Sequence, residues 1–324
     1  MPTYKIIKLK ELSPLHIGTG RETYDFSSAD LHSDTLSAAL TAMHMQLGSR
    51  SDAEQFLRSF TVSSAFPYYG NTLFLPKSQN QLKITIKGKE EKDYRKKLKK
   101  VKFIELDLWQ KLASGENIEL ENDEWLKGNY LTSSPTFQAL SQSYISQRVT
   151  VPRNDIEAEP FFFDWRYFQK ESGLYCIIDA DNATFQYLMQ LFGYLGEIGI
   201  GTDKNVGGGK FTVESSTITL PEIQEAERIM LLSLYIPEKE EIQTIKLNQS
   251  SYTLVLRNGF IAGSDVEQLR HLQKKSIYMF GVGSLFPTTA TLKGKIVDLR
   301  PSWNDERLHP VYRSGKPFYI PVKF

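Results

Sequence analysis

The sequence predicts an α+β chain made of two βαββαβ units, the second degenerate, and three observations carry that prediction. Residues 3–12 read as a strand that is followed, after a loop, by an amphipathic helix. A second strand and helix pair lies at residues 173–195. A glycine-rich loop at 199–210 then passes directly into a further strand, so the order is strand, helix, several strands, helix, strand. This is the arrangement of a ferredoxin-like (RRM-like) domain, here with a large insertion.

Ser13-Pro14 and the glycines at 18 and 20 end the first strand. From Ser33 or Asp34, either a good N-cap, apolar residues fall at Leu36, Leu40, Met43 and Leu47, and Gly48 closes the helix. Residues 64–76 (SAFPYYGNTLFLP) are aromatic and punctuated by Pro and Gly, which predicts short strands joined by a tight turn. Residues 114–135 are polar and rich in Ser, Asn and Gly, and 144–160 read as a strand and an exposed loop, so an excursion from the core is expected there. The second helix places Phe185, Leu188, Met189, Phe192 and Leu195 on one face. Further strands are expected at 229–236, 252–261, 276–280, 294–299 and 317–322, which divides the chain into an N-terminal domain at 1–225 and a C-terminal one at 226–324.

Lys and Arg number 39 against 38 Asp and Glu, so any polyanion site has to come from local clustering. The densest cluster is 83–102, with Lys83, Lys87, Lys89, Lys92, Arg95, Lys96, Lys97, Lys99, Lys100 and Lys102 against Glu90, Glu91 and Asp93. Two readings stand side by side: a phosphate-facing or partner-facing surface, or a solvated helix face whose Tyr94, Leu98 and Val101 point inward. The single cysteine, Cys176, excludes an intrachain disulfide and multi-Cys zinc sites, which fits a reducing, cytoplasmic setting. No segment approaches the roughly 18 apolar residues of a spanning helix.

The glycines at 199, 201, 207, 208 and 209 surround Thr202, Lys204, Asn205 and Lys210. Without Cβ atoms, backbone N–H groups can approach a ligand closely, and Lys and Thr suit phosphate, so the loop is a candidate anion site. The plainer alternative is a connection whose glycines supply positive φ. A Walker A loop is excluded, because Gly209-Lys210 leads into Phe211 and a strand and position 204 is Lys. The dinucleotide fingerprint fails at the same Lys204 and would have to follow a strand. Neither NTP nor NAD is supported, and no cofactor is expected.

The helix, glycine loop and strand together resemble the RAMP superfamily of CRISPR proteins. Residues 15–20 (LHIGTG), 33–40 (SDTLSAAL), 65–77 (AFPYYGNTLFLPK), 294–301 (GKIVDLRP) and 309–321 (HPVYRSGKPFYIP) are similar to the type III-A (Csm complex) subunit family that holds the crRNA 5′ handle. Coverage is thinnest at 110–145 and 237–251. The resemblance implies two ferredoxin-like domains with a β-hairpin thumb, and a non-catalytic role that binds the 5′ handle and anchors a large polymerase-like CRISPR subunit in antiviral defence. It also implies an adjoining backbone RAMP subunit as partner, with target RNA met indirectly. The handle-binding face would comprise His16, Gly18, Thr19 and Gly20 with Gly199, Gly201, Thr202, Lys204, Asn205, Gly207, Gly208, Gly209 and Lys210. Arg148, Thr150 and Arg153 fall where the family carries its thumb, although Pro152 would limit strand pairing there.

Catalysis could rest on an aspartate or a histidine. Asp25, Asp30 and Asp34 lie in or beside the loop after the first strand, where the cleaving backbone subunit of such complexes carries an aspartate. That subunit follows its loop with a Ser-x-x-Lys-x-x-Arg-like helix start, whereas residues 33–37 here (SDTLS) lack the Lys and Arg. A metal-assisted nuclease is one reading; the other makes Asp34 a helix cap and leaves the rest solvated. Among His16, His32, His44, His271 and His309, only His16 abuts the glycine turn, and no paired base is evident for RNA self-cleavage chemistry. Tyr312, Arg313 and Lys316 could stack on a base or hold phosphate, or could equally be core and ion-pair residues. Residues 161–165 (FFFDW) read as a buried strand. Three function classes follow: a guide-RNA holder, a RAMP-type endoribonuclease that processes or cleaves RNA, and a small-molecule phosphate-binding enzyme. The holder absorbs the most motifs, with no catalytic residue and no metal site assigned.

Overall fold

The computed structural model describes residues 2–18, 24–48, 52–150, 159–261, 269, 272–289, 291–301 and 308–324. The first half of the chain forms β1 (Thr3–Lys10), α1 (Ser33–Leu47), α2 (Ala53–Arg58), β2 (Thr61–Val62), β3 (Phe66–Tyr69), β4 (Thr72–Pro76), β5 (Ile84–Ile86), α3 (Glu91–Lys100), β6 (Phe103–Glu105), α4 (Leu106–Ala113), β7 (Ile118–Leu120), β8 (Leu126–Lys127), β9 (Tyr130–Leu131) and β10 (Ser141–Thr150). The second half forms β11 (Glu159–Phe168), β12 (Ser172–Asp179), α5 (Asn182–Ile198), β13 (Thr212–Thr219), β14 (Arg228–Leu231), α6 (Glu241–Thr244), β15 (Leu254–Arg257), β16 (Ile277–Phe280), β17 (Leu285–Pro287), β18 (Ile296–Asp298), β19 (Tyr312–Ser314) and β20 (Tyr319–Val322).

The main sheet runs β13-β1-β12-β3-β4-β6-β9-β8, with β2 also paired to β12. Its β13-β1-β12-β3 end is antiparallel throughout, and α1 and α5 pack on one of its faces. Alternation along β1 shows why both faces are apolar. Ile7 and Leu9 meet Leu36, Leu40, Leu188 and Phe192 of the helices, while Ile6 faces a second core with Tyr175, Ile177 and Trp109. A strand buried on both faces reads as a hydrophobic run, which is how β12 stands out in the sequence, whereas β1 keeps lysines at positions 5, 8 and 10 around its buried Ile6, Ile7 and Leu9. Residues 114–135, expected as an excursion, instead supply β7, β8 and β9, and the last two extend the main sheet. The tight turn expected within 64–76 is present, with Gly70 at φ +55° between β3 and β4.

Asp181 caps α5 by accepting from the Thr184 amide at 2.8 Å, and Phe185, Leu188, Leu191, Phe192 and Leu195 form its buried stripe. α1 starts differently. His32 is its N-cap and gives no side-chain bond, because the expected caps are spent on tertiary contacts. The Ser33 hydroxyl accepts from the Leu234 amide at 2.9 Å, and Asp34 is drawn into an ion pair. Leu47, expected on the buried stripe, is 52% exposed because the last turn runs past the core. In α3, Glu90 and Asp93 form a capping box, and Tyr94 and Leu98 are buried.

Beyond residue 226, β17-β14-β20 make a three-stranded sheet, with hairpins β15-β16 and β18-β19 beside it. β17 and β19 are strands that the sequence pattern did not announce. α6, of 4 residues, is the one α-helix of this region among the described residues. Met230, Leu232, Leu285, Phe318, Ile320 and Val322 share one core with Ile6, Tyr175 and Trp109, so the C-terminal strands close the far side of the main sheet.

One buried charge cluster joins the two regions. The Asp34 carboxylate is 0% exposed, and its Oδ2 accepts from Arg257 Nε at 2.9 Å and from Arg313 Nη1. Arg257 also donates to the Thr35 hydroxyl at 2.9 Å. Burial lowers the pKa of both guanidinium groups, that of Arg313 to about 10. Arg313 is therefore an internal tie between α1 and β19, which corrects its assignment to an RNA surface. Removing one partner of such a buried pair leaves an uncompensated charge, so Asp34→Ala is expected to cost about 3–5 kcal/mol in denaturant unfolding.

His32 lies against the same cluster with Nδ1 buried and unpartnered among the described residues. Burial, then the neighbouring Arg257 charge, lower its pKa from 6.5 to about 4. Between those values the unfolded chain binds the proton and the folded chain does not, so this stability is present above pH 6.5 and is lost as pH falls toward 4. The predicted loss is about 1.4 kcal/mol per unit of displacement. Unfolding curves across this range should be less pH-dependent for His32→Gln than for the wild type.

Candidate nucleic-acid interface

α5 ends where Gly199 takes φ +93°, and the chain folds back on the segment after β1. Ile200 N donates to Gly209 O at 2.9 Å, Thr202 N to His16 O at 3.0 Å and Gly209 N to Pro14 O at 2.9 Å. Ser13 adds a clamp: its hydroxyl donates to Gly207 O at 2.8 Å and accepts from the Lys210 amide at 2.7 Å. Residues Lys204–Val206 form a single 3-10 turn between Asp203 at φ +58° and Gly207 at φ +87°. The loop is thus held by backbone pairing along one side and turned outward along the other.

The glycines divide by role. A Cβ on Gly201 would run into the His16 carbonyl, one on Gly209 into the Ile200 carbonyl, and one on Gly208 would come 2.6 Å from the Trp165 ring. A Cβ on Gly207 would meet open space, and one on Gly18 would make ordinary contact at 3.7 Å with the Thr202 methyl. Close internal packing therefore accounts for most of the glycine richness. On the outward side Lys204, Asn205, Val206 and Lys210 are exposed. Lys204 and Lys210 have no carboxylate partner among the described residues, and partial burial lowers the pKa of Lys204. The Thr202 hydroxyl is buried without a partner among the described residues.

The β10-β11 hairpin stands against this loop. Arg148 pairs with Asp203 and lies over the Phe163 ring at 4.3 Å and the Trp165 ring at 5.3 Å. Neutralising Asp203 in this way leaves the loop's free charge positive. Leu15 and Arg166 exchange backbone bonds of 2.9 and 3.0 Å, which fixes the hairpin base to the segment after β1. In the run at 161–165, Phe163 and Trp165 are buried on one face, whereas on the other Phe162 is 55% exposed and Asp164 is buried where it accepts from the Ser27 amide. The expectation of a wholly buried strand is corrected to that extent, and the reason is the two-residue period of a hairpin with one covered face.

The structure thus brings Gly18, Arg148 and the loop at 199–210 together. Thr19, Gly20 and Arg153, with Pro152, lie outside the described residues, and of Thr150 the backbone alone is described, in β10 opposite Glu159. His16 is 1% exposed, with Nδ1 2.8 Å from Asp164 O and its ring 4.5 Å from Phe163. It is a buried support of the loop, which corrects its placement on a contact surface. Tyr312 is half-buried on β19 against the core of α1 and α5. Lys316 Nζ donates to the carbonyls of Arg58 at 2.8 Å and Phe60 at 2.7 Å, closing the end of α2. The C-terminal candidates are consumed by internal contacts. Asp34 makes no side-chain cap and is held by guanidinium groups, so neither reading offered for it describes its place. Asp203 and Trp165 were missed by sequence reasoning, since an acidic residue in an anion site and one ring of an aromatic run carry no local signal of their roles.

Residues 224–322 match the family described as CRISPR Csm4 C-terminal domain. The protein of Thermococcus onnurineus (strain NA1) called CRISPR system Cms protein Csm4 is 24% identical over 305 residues, covering 87% of this chain and 96% of that protein. Among solved structures, a chain of the Csm1-Csm4 cassette in complex with cA4 superposes with a TM-score of 0.63 at 19% identity, covering 99% of this chain and 98% of that one. A chain of the Csm3-Csm4 subcomplex of the type III-A CRISPR-Cas interference complex gives 0.63 at 18% identity, covering 98% and 99%. These structural likenesses establish a shared mixed α/β fold.

The division among the glycines is open to test by unfolding. Gly207→Ala, strained in φ but unobstructed, is predicted to cost about 1 kcal/mol. Gly209→Ala carries the same strain plus a backbone collision and is predicted to cost clearly more.

Proposed function

The chain belongs to the Csm4 family of CRISPR type III-A proteins, and from that premise we propose that it is the non-catalytic subunit that holds the 5′ handle of the guide RNA. The observation that carries this reading is the loop at 199–210. Its backbone is clamped to residues 13–16, its one carboxylate is neutralised by Arg148, and Lys204 and Lys210 face outward without a carboxylate partner among the described residues. Such a surface suits phosphodiester oxygens, with the exposed backbone and Asn205 available beside them.

The fourth-first-third-second strand order of β13-β1-β12-β3, with α1 and α5 on one face, supports a ferredoxin-like reading of the N-terminal unit. The C-terminal strands, lacking a helix pair among the described residues, fit a degenerate counterpart. The β10-β11 hairpin takes the place of the thumb. Since relatives have been solved with Csm1 and with Csm3, the same neighbours are proposed here: a large polymerase-like subunit and a backbone RAMP subunit. Target RNA would be met through that assembly, in the cytoplasm.

The test is binding of a labelled single-stranded RNA that carries the repeat-derived handle, measured across a salt series. The double variant Lys204→Ala/Lys210→Ala is expected to bind more weakly, with a log–log salt slope shallower by about 1.4, at roughly 0.7 per lost phosphate contact. Unchanged affinity and slope would remove the loop from the RNA site. Appearance of cleaved RNA with the wild type alone would replace the holder reading with the endoribonuclease one.

A further inference from the structure

The basic cluster at 83–102 has no part in the site just described, and its structure separates its charges into two sets. Lys87 pairs with Glu121, Lys89 and Lys97 share Asp123, Lys92 pairs with Glu90, and Arg95 lies 3.9 Å from Glu91. Asp123, held by both lysines, has its pKa lowered to about 2. Lys83, Lys96, Lys99, Lys100 and Lys102 are exposed and have no side-chain partner among the described residues. At 100° per residue, Lys92, Lys96, Lys99 and Lys100 fall on the side of α3 opposite the buried Tyr94 and Leu98. The helix is anchored for this role, by a capping box at its start and by Tyr94, Leu98 and Val101 in the core.

We propose that the outward face of α3 is a second nucleic-acid contact, which takes the phosphodiester backbone of RNA without reading its bases. Like charges spaced along one helix face repel one another, and a near-neutral chain that concentrates them there gains from a polyanion that releases counterions on binding. The face has no exposed aromatic ring for stacking and no Asn or Gln within α3 to pair with a base edge, so backbone contact is the mode its chemistry allows. A protein partner fits less well. Protein interfaces are depleted in lysine and rely on apolar or aromatic anchors, and this face carries neither. The site goes beyond the handle reading and does not depend on the glycine loop.

The experiment uses the full chain and a fluorescein-labelled single-stranded RNA of mixed sequence that lacks the handle. Lys96→Ala/Lys99→Ala/Lys100→Ala should raise Kd about tenfold near 0.1 M salt and flatten the salt slope by about 2, at roughly 0.7 for each cation removed. Its thermal unfolding should match wild type, since all three side chains are solvated. The corresponding triple Arg variant should keep both affinity and slope, whereas Lys204→Ala/Lys210→Ala should retain most of the binding to this RNA. Wild-type affinity and slope in the triple Ala variant would overturn the proposal. So would a photo-crosslinker at position 96 that, in the assembled complex, captured a protein and no RNA.

Discussion

The fold depends on a carboxylate placed where water cannot reach it. Asp34 at the start of α1 is fully buried, and it is stable as an anion because Arg257 from β15 and Arg313 from β19 converge on the same oxygen. Burying that charge without the two guanidinium groups would leave it uncompensated, so the C-terminal strands and α1 are tied to one arrangement. Ser33, one residue earlier, serves the same junction by accepting from the Leu234 amide. The helix start thus exchanges local capping for a link between regions more than 200 residues apart in sequence.

That link positions the loop indirectly. With α1 fixed on the sheet, α5 packs beside it and delivers the chain at Gly199 onto the segment 13–16. Gly201, Gly208 and Gly209 permit a separation that no side chain would tolerate, and His16 and Trp165 fill the space beneath. The glycine-rich composition that suggested ligand approach is therefore largely a condition for making the loop rigid. The groups left facing solvent are the few on the outer rim, chiefly Lys204 and Lys210.

Electrostatics follow the same economy. A chain with a formal charge of +1 shows no global preference for a polyanion, yet its cations are distributed unevenly. Arg148 cancels Asp203 and leaves the loop positive, Arg257 and Arg313 are committed to the interior, and α3 gathers unpaired lysines on its solvent side. The buried pairs use arginine, with Arg257 and Arg313 each giving one bond to the same Asp34 oxygen, and the exposed face of α3 uses lysine. Positive charge is thus concentrated by placement rather than by net charge.

The sequence by itself determined the elements with strong period: β1, α1, β12, α5, β13 and the turn at Gly70, because a strand or helix stripe facing a core writes its spacing into adjacent residues. It also determined that a glycine-rich loop carrying Lys204 and Lys210 connects α5 to β13. The tertiary structure decided what each candidate side chain does. His16, Arg313 and Lys316 have the right chemistry for RNA, but His16 lies beneath Phe163, Arg313 is held by Asp34, and Lys316 closes α2. Segments such as β17, β19 and β8–β9 are too short to show a period, and they become strands through partners distant in the chain. Spacing along the chain records which residue types are near one another; only folding determines which of them reach water, and a contact with a phosphate requires reaching water.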